Sequence, residues 1–190
     1  MRCHVCRSVS FLPLCKTCRR ELLQPEPKTR RLDNGLEVIS FYAYDDIEPF
    51  LLTKHLPHGW AIYRILAKES FSSFKRNIES GTMAIPIDDD PKSGYSHTAI
   101  LARSLKSATC KTLYGKLHAQ NRISYAGRSK SFRLQNPRNF LYTGSAGIKA
   151  LLVDDIVTTG FTLMEAGDIL ARHDVEVSGA IVLADADRKG

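Results

Sequence analysis

Residues 151–163 read Leu-Leu-Val-Asp-Asp-Ile-Val-Thr-Thr-Gly-Phe-Thr-Leu, and this stretch decides the fold. Its opening apolar run is typical of a short strand that is covered on both faces. We expect this strand to end at the two carboxylates. After Gly160, the positions Leu163, Gly167 and Leu170 recur at helical spacing. The order is therefore strand, acid pair, hydroxyl-rich turn and helix.

The turn falls at the carboxyl end of a strand, where open α/β sheets bind their ligands. Backbone N–H groups at a helix start and threonine hydroxyls bind phosphate, and a glycine lets the chain approach it closely. The residues predicted to bind phosphate are Ile156, Val157, Thr158, Thr159, Gly160, Phe161 and Thr162.

The acid pair cannot bind phosphate, because carboxylates repel it. Asp154 and Asp155 instead suit the vicinal hydroxyls of a ribose, which donate hydrogen bonds to carboxylates. The stretch therefore indicates a site for a phosphorylated ribose. The alternative is a surface turn with two solvated aspartates.

Four of the five cysteines lie near the N-terminus in two pairs, each with two residues between its members. This spacing supplies four thiolates to a tetrahedral zinc, from Cys3, Cys6, Cys15 and Cys18. A segment this short hardly folds without a metal, so we expect a structural zinc knuckle over residues 1–24. A redox pair is the alternative, although redox Cys-x-x-Cys motifs usually occur once, beside a βαβ unit.

Positive charge is concentrated in the N-terminal segment. The chain carries +7, and residues 1–31 hold eight Lys/Arg against two Glu, which gives +6. A zinc with four thiolates carries −2, so the segment remains basic. An anionic polymer is the expected partner, and ordinary solubility charge is the alternative.

The rest of the chain alternates β and α patterns with short connections, which predicts a parallel sheet with helices on both faces. Pro25-Glu26-Pro27 and the basic residues after it predict a linker over 25–35, with the main domain at 36–190. The polar stretch 117–139 predicts a mobile excursion. Further strands are expected over residues 36–44, 83–87 and 177–184, and further helices over residues 48–71, from Ser96 onwards and up to Arg172.

Composition limits the remaining possibilities. With 190 residues and 43% hydrophobic content, one full core and a small appendage are expected. Cys110 is predicted to be a small buried apolar residue. No run of about 18 apolar residues and no signal-peptide core occur, so we expect a cytoplasmic chain without membrane insertion.

The stretch 151–163 resembles the phosphoribosyl pyrophosphate (PRPP) signature of type I phosphoribosyltransferases. With the cysteine knuckle first and this signature last, the chain resembles the ComF family of competence proteins, in its C-subtype layout, over nearly its whole length. The resemblance implies a phosphoribosyltransferase-like domain that binds PRPP with Mg²⁺. It also implies the handling of incoming single-stranded DNA in natural transformation, alongside other proteins of the competence machinery.

The resemblance further implies pyrophosphate-binding groups. The family's loop after an early strand corresponds to Ile85-Pro86-Ile87 and then Gly94-Tyr95-Ser96. Ser93 stands where the family has an arginine, so Lys92 is the nearest cation.

Two other family segments have counterparts. The family's Tyr-Lys-Gly segment is reduced to Lys54-His55, with Gly59 displaced. The segment 121–137 looks like the flexible hood of amidophosphoribosyltransferase-type enzymes, which implies pyrophosphate contacts from Arg122 and Arg128.

Two functions remain open from the sequence. In the first, the basic knuckle engages single-stranded DNA while the main domain binds PRPP as an effector or recognition site. In the second, an enzyme of nucleotide salvage or transfer displaces pyrophosphate from PRPP, Asp154 and Asp155 orient the ribose, and the knuckle is purely structural. No residue stands out as a nucleobase reader or catalytic base, which favours the first.

Overall fold

The computed structural model describes residues 1–87, 94–121, 132 and 135–188. Within these ranges the helices are α1 Lys16–Leu22, α2 Tyr44–Leu51, α3 Gly59–Glu69, α4 Phe71–Phe74, α5 His97–Leu105 and α6 Phe161–Arg172, with 3-10 turns at Leu52–His55 and Lys75–Asn77. The strands are β1 Lys28–Arg31, β2 Glu37–Ala43, β3 Thr82–Pro86, β4 Cys110–Thr112, β5 Leu117–Ala119, β6 Phe140–Tyr142, β7 Ile148–Val157 and β8 Val175–Asp185. None of the helices in these ranges is both long enough and apolar enough to cross a bilayer.

Six strands form the central sheet, in the order β1-β2-β8-β7-β3-β4. All neighbours pair in parallel except β1, which runs antiparallel to β2. The carboxyl ends of β2, β3, β7 and β8 therefore lie at one edge of the sheet, where a ligand site is expected. The predicted α/β class with a mostly parallel sheet is confirmed.

Alternate residues of the strands face two different cores, because side chains in a strand point to opposite faces. The first core packs α2, α3 and α5 against one face, and its members include Phe41, Tyr63, Phe71, Leu101 and Leu151. The second core packs α6 and the β5–β6 ribbon against the other face, and its members include Leu152, Val182, Leu163, Ala166 and Leu170. The predicted helices on both faces are thus present.

Strand β7 is longer than the sequence pattern predicts. Asp154 pairs with Val182 and Val157 pairs with Asp185, so the ladder with β8 continues past the acid pair. Pairing with a long neighbouring strand keeps these polar residues extended. Only residues 158–160 are left to connect β7 with α6.

The N-terminal knuckle packs directly on the main domain. Leu14 and Leu23 are buried in the first core, and the Arg19 guanidinium lies 3.2 Å from the Glu69 carboxylate. Part of the segment predicted as a linker forms β1 at the sheet edge. Of the predicted segments, residues 1–24 thus contribute to the first core and residues 25–35 contribute Leu32 to the second, so both pack on the domain at 36–190.

The region 117–139 was predicted to be a mobile excursion, but its first residues form β5 and the residues directly after it form β6. β5 and β6 pair as an antiparallel two-stranded ribbon. The amides of Arg138 and Asn139 donate to the Glu165 carboxylate, at 2.9 and 2.6 Å. Most of the expected hood lies outside the described residues. Cys110 is buried in the first core, as predicted.

Candidate functional site

The turn between β7 and α6 lines a small open depression, together with the end of β7 and the start of α6. All seven residues predicted to bind phosphate line it, together with Asp154 and Leu163. Gly160 has φ +78°, a conformation that suits glycine, and a Cβ at this position would lie 2.5 Å from Leu32 Cδ1. Both observations explain why a glycine is needed in this turn.

Three threonines, Thr158, Thr159 and Thr162, are among the residues that line this depression. The N-cap position of α6 is Gly160, which has no side chain to cap the helix, and the amides of a helix's first turn have no acceptor within their own helix. Among the described residues, Thr159 Oγ1 is buried without a hydrogen-bond partner. A buried hydroxyl in this state costs free energy that a hydrogen-bonding ligand would recover. The turn is thus suited chemically to a phosphate.

Asp154 lies at the strand end of the depression and is half-buried. Its Oδ1 accepts a hydrogen bond of 2.8 Å from the Asp155 backbone amide, which fixes the orientation of the carboxylate. The two aspartates are close together but have different surroundings.

Asp155 is only 5% exposed and has partners from three other elements. Its Oδ2 accepts hydrogen bonds from Lys54 Nζ at 2.8 Å and from the Tyr63 hydroxyl at 3.1 Å. His97 Nε2 lies 3.5 Å from the same oxygen. Asp155 does not line the depression.

These partners keep Asp155 ionised. Burial by itself raises the pKa of this carboxyl, but the charges of Lys54 and His97 and the hydrogen bonds from Lys54 and Tyr63 outweigh burial and hold the pKa well below its usual range. Burial and the neighbouring Asp155 charge raise the pKa of Tyr63 well above its ordinary value, so Tyr63 remains a donor.

Lys54 is held in place by a tight contact between distant segments. It lies in the 3-10 turn Leu52–His55, and the Tyr95 hydroxyl is 3.0 Å from the Lys54 carbonyl oxygen, to which it donates. A Cβ on Gly59 would lie 1.9 Å from the Thr53 carbonyl oxygen, so this approach requires a glycine. Neither the lysine's role nor those of Tyr63 and His97 was predicted, since each is far from Asp155 in sequence.

Of the remaining predicted residues, the structure describes one and not the other three. Phe161 is among the residues that line the depression. Lys92, Arg122 and Arg128, predicted to contact pyrophosphate, lie outside the described residues.

The four N-terminal cysteines converge. Their sulfur atoms all lie within 4.8 Å of one another, and Cys6 Sγ is 3.7 Å from Cys15 Sγ. Thiolates around a tetrahedral zinc are about 3.8 Å apart, given Zn–S bonds of ~2.3 Å. The Cys15 amide donates to Cys3 Sγ at 3.4 Å, and this bond is the main cause that lowers the pKa of Cys3 to about 6. The cluster fits a metal that binds four thiolates.

A family model described as a phosphoribosyl transferase domain matches residues 92–190, a little more than half of the chain. The chain belongs to this phosphoribosyltransferase family. The matched region contains the acid pair, the turn and α6. No curated protein matches the chain.

Solved structures of phosphoribosyltransferases are among those similar to this chain. The UMP synthase of Leishmania donovani is 17% identical, with a TM-score of 0.40, over 87% of this chain and 29% of the other. A hypoxanthine phosphoribosyltransferase from Staphylococcus aureus is 12% identical, with a TM-score of 0.42, over 65% of this chain and 62% of the other. The chain thus spans less than two thirds of either protein. The orotate phosphoribosyltransferase of Mycobacterium tuberculosis H37Rv is 12% identical, with a TM-score of 0.41, over 87% of this chain and 81% of the other.

The buried charge of Asp155 leads to a stability prediction. Lys54→Met leaves that charge without its nearest cation and should lower the free energy of unfolding by about 3 kcal/mol at neutral pH. Because the pKa of Asp155 is lowered in the fold, its contribution to stability is present above the ordinary carboxyl pKa of about 4 and is lost below it. The deficit of the variant should therefore shrink on acidification.

Urea unfolding at several pH values measures this deficit. The double variant Lys54→Met/Asp155→Asn removes both charges and should recover most of the loss at neutral pH. Equal stability of Lys54→Met and wild type at neutral pH would show that Asp155 does not depend on Lys54.

Proposed function

We propose that this family member binds PRPP at the β7–α6 turn, with the 5′-phosphate on the turn and the ribose on Asp154. The observation that supports this best is the Thr159 hydroxyl, which is buried at the depression without a partner among the described residues. The start of α6 and the hydroxyl-bearing residues Thr158 and Thr162 line the same depression, and these groups together suit a phosphate. The family model covers the same residues.

The two aspartates take different roles in this proposal. Asp154 lines the depression and accepts hydrogen bonds from the ribose diol. Asp155 is engaged by Lys54 and Tyr63, and it orients Asp154 through its backbone amide. The pyrophosphate of PRPP would be screened by the Mg²⁺ that binds with it, and Lys92, Arg122 and Arg128 remain its predicted cationic contacts.

We propose further that the knuckle holds a structural zinc and that its surface binds single-stranded DNA, in the manner of a ComF-like competence protein. The sulfur distances fit zinc. Proteins that bind single strands combine cationic side chains with exposed aromatic rings on which bases stack. Both are present on the knuckle.

The cations available on the knuckle are fewer than its sequence suggests. Arg19 forms an ion pair with Glu69, and Arg2 donates a hydrogen bond to the carbonyl oxygen of Arg7. Arg7, Lys16 and Arg20 are exposed, and within the described part of the chain they form no ion pair. These three side chains are therefore our candidates for phosphate contacts.

Phe11 supplies the aromatic ring. Its side chain is fully exposed, at 102%, and it belongs to neither core. A fully exposed ring contributes no burial free energy to the stability of the fold. Stacking of an unpaired base on such a ring contributes about 1–3 kcal/mol to binding. The sequence pattern did not single out Phe11.

The first prediction concerns PRPP affinity. Thr159→Val and Asp154→Asn should each weaken binding of PRPP with Mg²⁺ by about tenfold or more in calorimetry, because each removes a hydrogen bond to a charged or diol group. The control is Asp168→Asn, which changes an exposed carboxylate on α6 away from the turn and should bind PRPP as wild type does.

Pyrophosphate release from the same samples tests the alternative, an active PRPP-dependent enzyme. Release that depends on one member of a panel of bases or amines supports the enzyme. Binding of PRPP without release supports an effector or recognition role. Wild-type protein that binds no PRPP contradicts both.

The second prediction concerns the metal. Purified protein should contain one zinc per chain, and Cys6→Ser or a chelator should lower the unfolding midpoint by about 5 °C or more, since Leu14 and Leu23 then lose their support in the first core. Cys110→Ala should retain the zinc. Protein that is free of metal as purified, with a midpoint insensitive to chelator, would rule the zinc out.

The third prediction concerns DNA. Arg7→Gln/Lys16→Gln/Arg20→Gln should weaken binding of a single-stranded oligonucleotide and flatten its salt dependence, and Phe11→Ala should weaken it at all salt concentrations. A control triple, Arg103→Gln/Lys106→Gln/Arg172→Gln, removes the same charge from exposed sites elsewhere. Equal losses of affinity in the two triple variants would show that net charge alone is responsible. Point variants are preferable to a fragment that starts at Leu36, because that truncation would remove β1 and part of the first core.

A further inference from the structure

Arg30, in the segment predicted as a linker, is hydrogen-bonded to the turn between β7 and α6. Its Nη2 donates a hydrogen bond of 2.6 Å to the carbonyl oxygen of Thr158. Its Nε lies 3.1 Å from Asp185 Oδ2, and its Nη1 pairs with Asp187. One guanidinium therefore joins the edge strand β1, the end of β8 and the turn.

The charge of Arg30 is already matched. Asp185 is buried, at 5% exposure, and its other oxygen accepts from the Asp187 amide at 2.9 Å. With two carboxylates beside it, the guanidinium is poorly placed to attract a further anion. Its remaining function is to fix the position of the Thr158 carbonyl.

Fixing that carbonyl also fixes the next amide. The described backbone has no cis peptide bond, and in a trans peptide the C=O and N–H point in opposite directions. When the Thr158 oxygen points to Arg30, the Thr159 N–H points away from it. Thr159 lies in the wall of the depression.

Leu32 holds the same turn from the same segment. It is 7% exposed, and its methyl groups fill the space beside Gly160 that a Cβ would occupy. Arg30 and Leu32 are two residues apart, the spacing of side chains on one face of an extended chain. A polar contact and an apolar contact thus hold the turn at its first and last residues.

We propose that Arg30 is a positioning residue for the 5′-phosphate, which presets the turn amides without touching the ligand. This inference rests on the proposed binding of PRPP at the turn. It predicts that loss of Arg30 weakens ligands that carry the 5′-phosphate and spares pyrophosphate.

Calorimetry on the full-length protein, with ribose 5-phosphate and separately with Mg²⁺-pyrophosphate, tests this. Arg30→Met should weaken ribose 5-phosphate by tenfold or more and leave pyrophosphate within twofold. Arg31→Met is the matched control, because it removes the same charge from the neighbouring position. The Arg31 side chain is 70% exposed and pairs with Glu37. Arg31→Met should bind both ligands as wild type does.

Arg30→Lys covers the case in which Arg30→Met does not fold. A lysine retains the charge beside Asp185 but cannot reach Thr158, Asp185 and Asp187 together as the planar guanidinium does, so Arg30→Lys should fold and still lose affinity for ribose 5-phosphate. Wild-type affinity for ribose 5-phosphate in either folded Arg30 variant overturns the inference, and so does an equal loss for both ligands. A wild-type protein that binds no ribose 5-phosphate contradicts the proposed function itself.

Discussion

The structure depends on a three-residue connection that carries the chain from a strand into a helix and must hold its backbone in one conformation. Thr158–Gly160 carries the chain from β7 into α6 at the carboxyl edge of a parallel sheet. The first amides of a helix have no partner within that helix, so contacts with neighbouring segments must hold the conformation of the turn. Glycine in a left-handed conformation, Leu32 beside it and Arg30 on the Thr158 carbonyl impose it.

A second constraint is the buried charge at Asp155. A carboxylate with 5% exposure is tolerated only because α3, α5 and the 3-10 turn at Leu52–His55 each bring a donor or a cation to it. These contacts tie the helices of the first core to the acid pair. The backbone amide of Asp155 also donates a hydrogen bond to the Asp154 carboxylate and so orients the group that we propose binds the ribose. Stability and ligand geometry are therefore linked at one residue.

Local patterns in the sequence predicted the parts of the site that are contiguous. The apolar run, Gly160 and the helical spacing after it predicted β7, the turn and α6, and the two Cys-x-x-Cys pairs predicted the thiol cluster. Local patterns could not predict the contacts of Lys54 with Asp155 and of Arg30 with Thr158. The residues of these pairs are 101 and 128 positions apart in the sequence. The edge strand was missed since its residues Lys-Thr-Arg-Arg lack apolar alternation and pair only on one side.

A structure of the protein with PRPP and Mg²⁺ tests the central claim most directly. We expect phosphate oxygens about 3 Å from the amides of the turn and from Thr159 Oγ1, with the ribose hydroxyls on Asp154. We also expect the Arg30 contact with the Thr158 carbonyl to persist in the complex. Ligand bound elsewhere, or a phosphate held by side chains while the turn amides and Thr159 face away from it, would contradict the account.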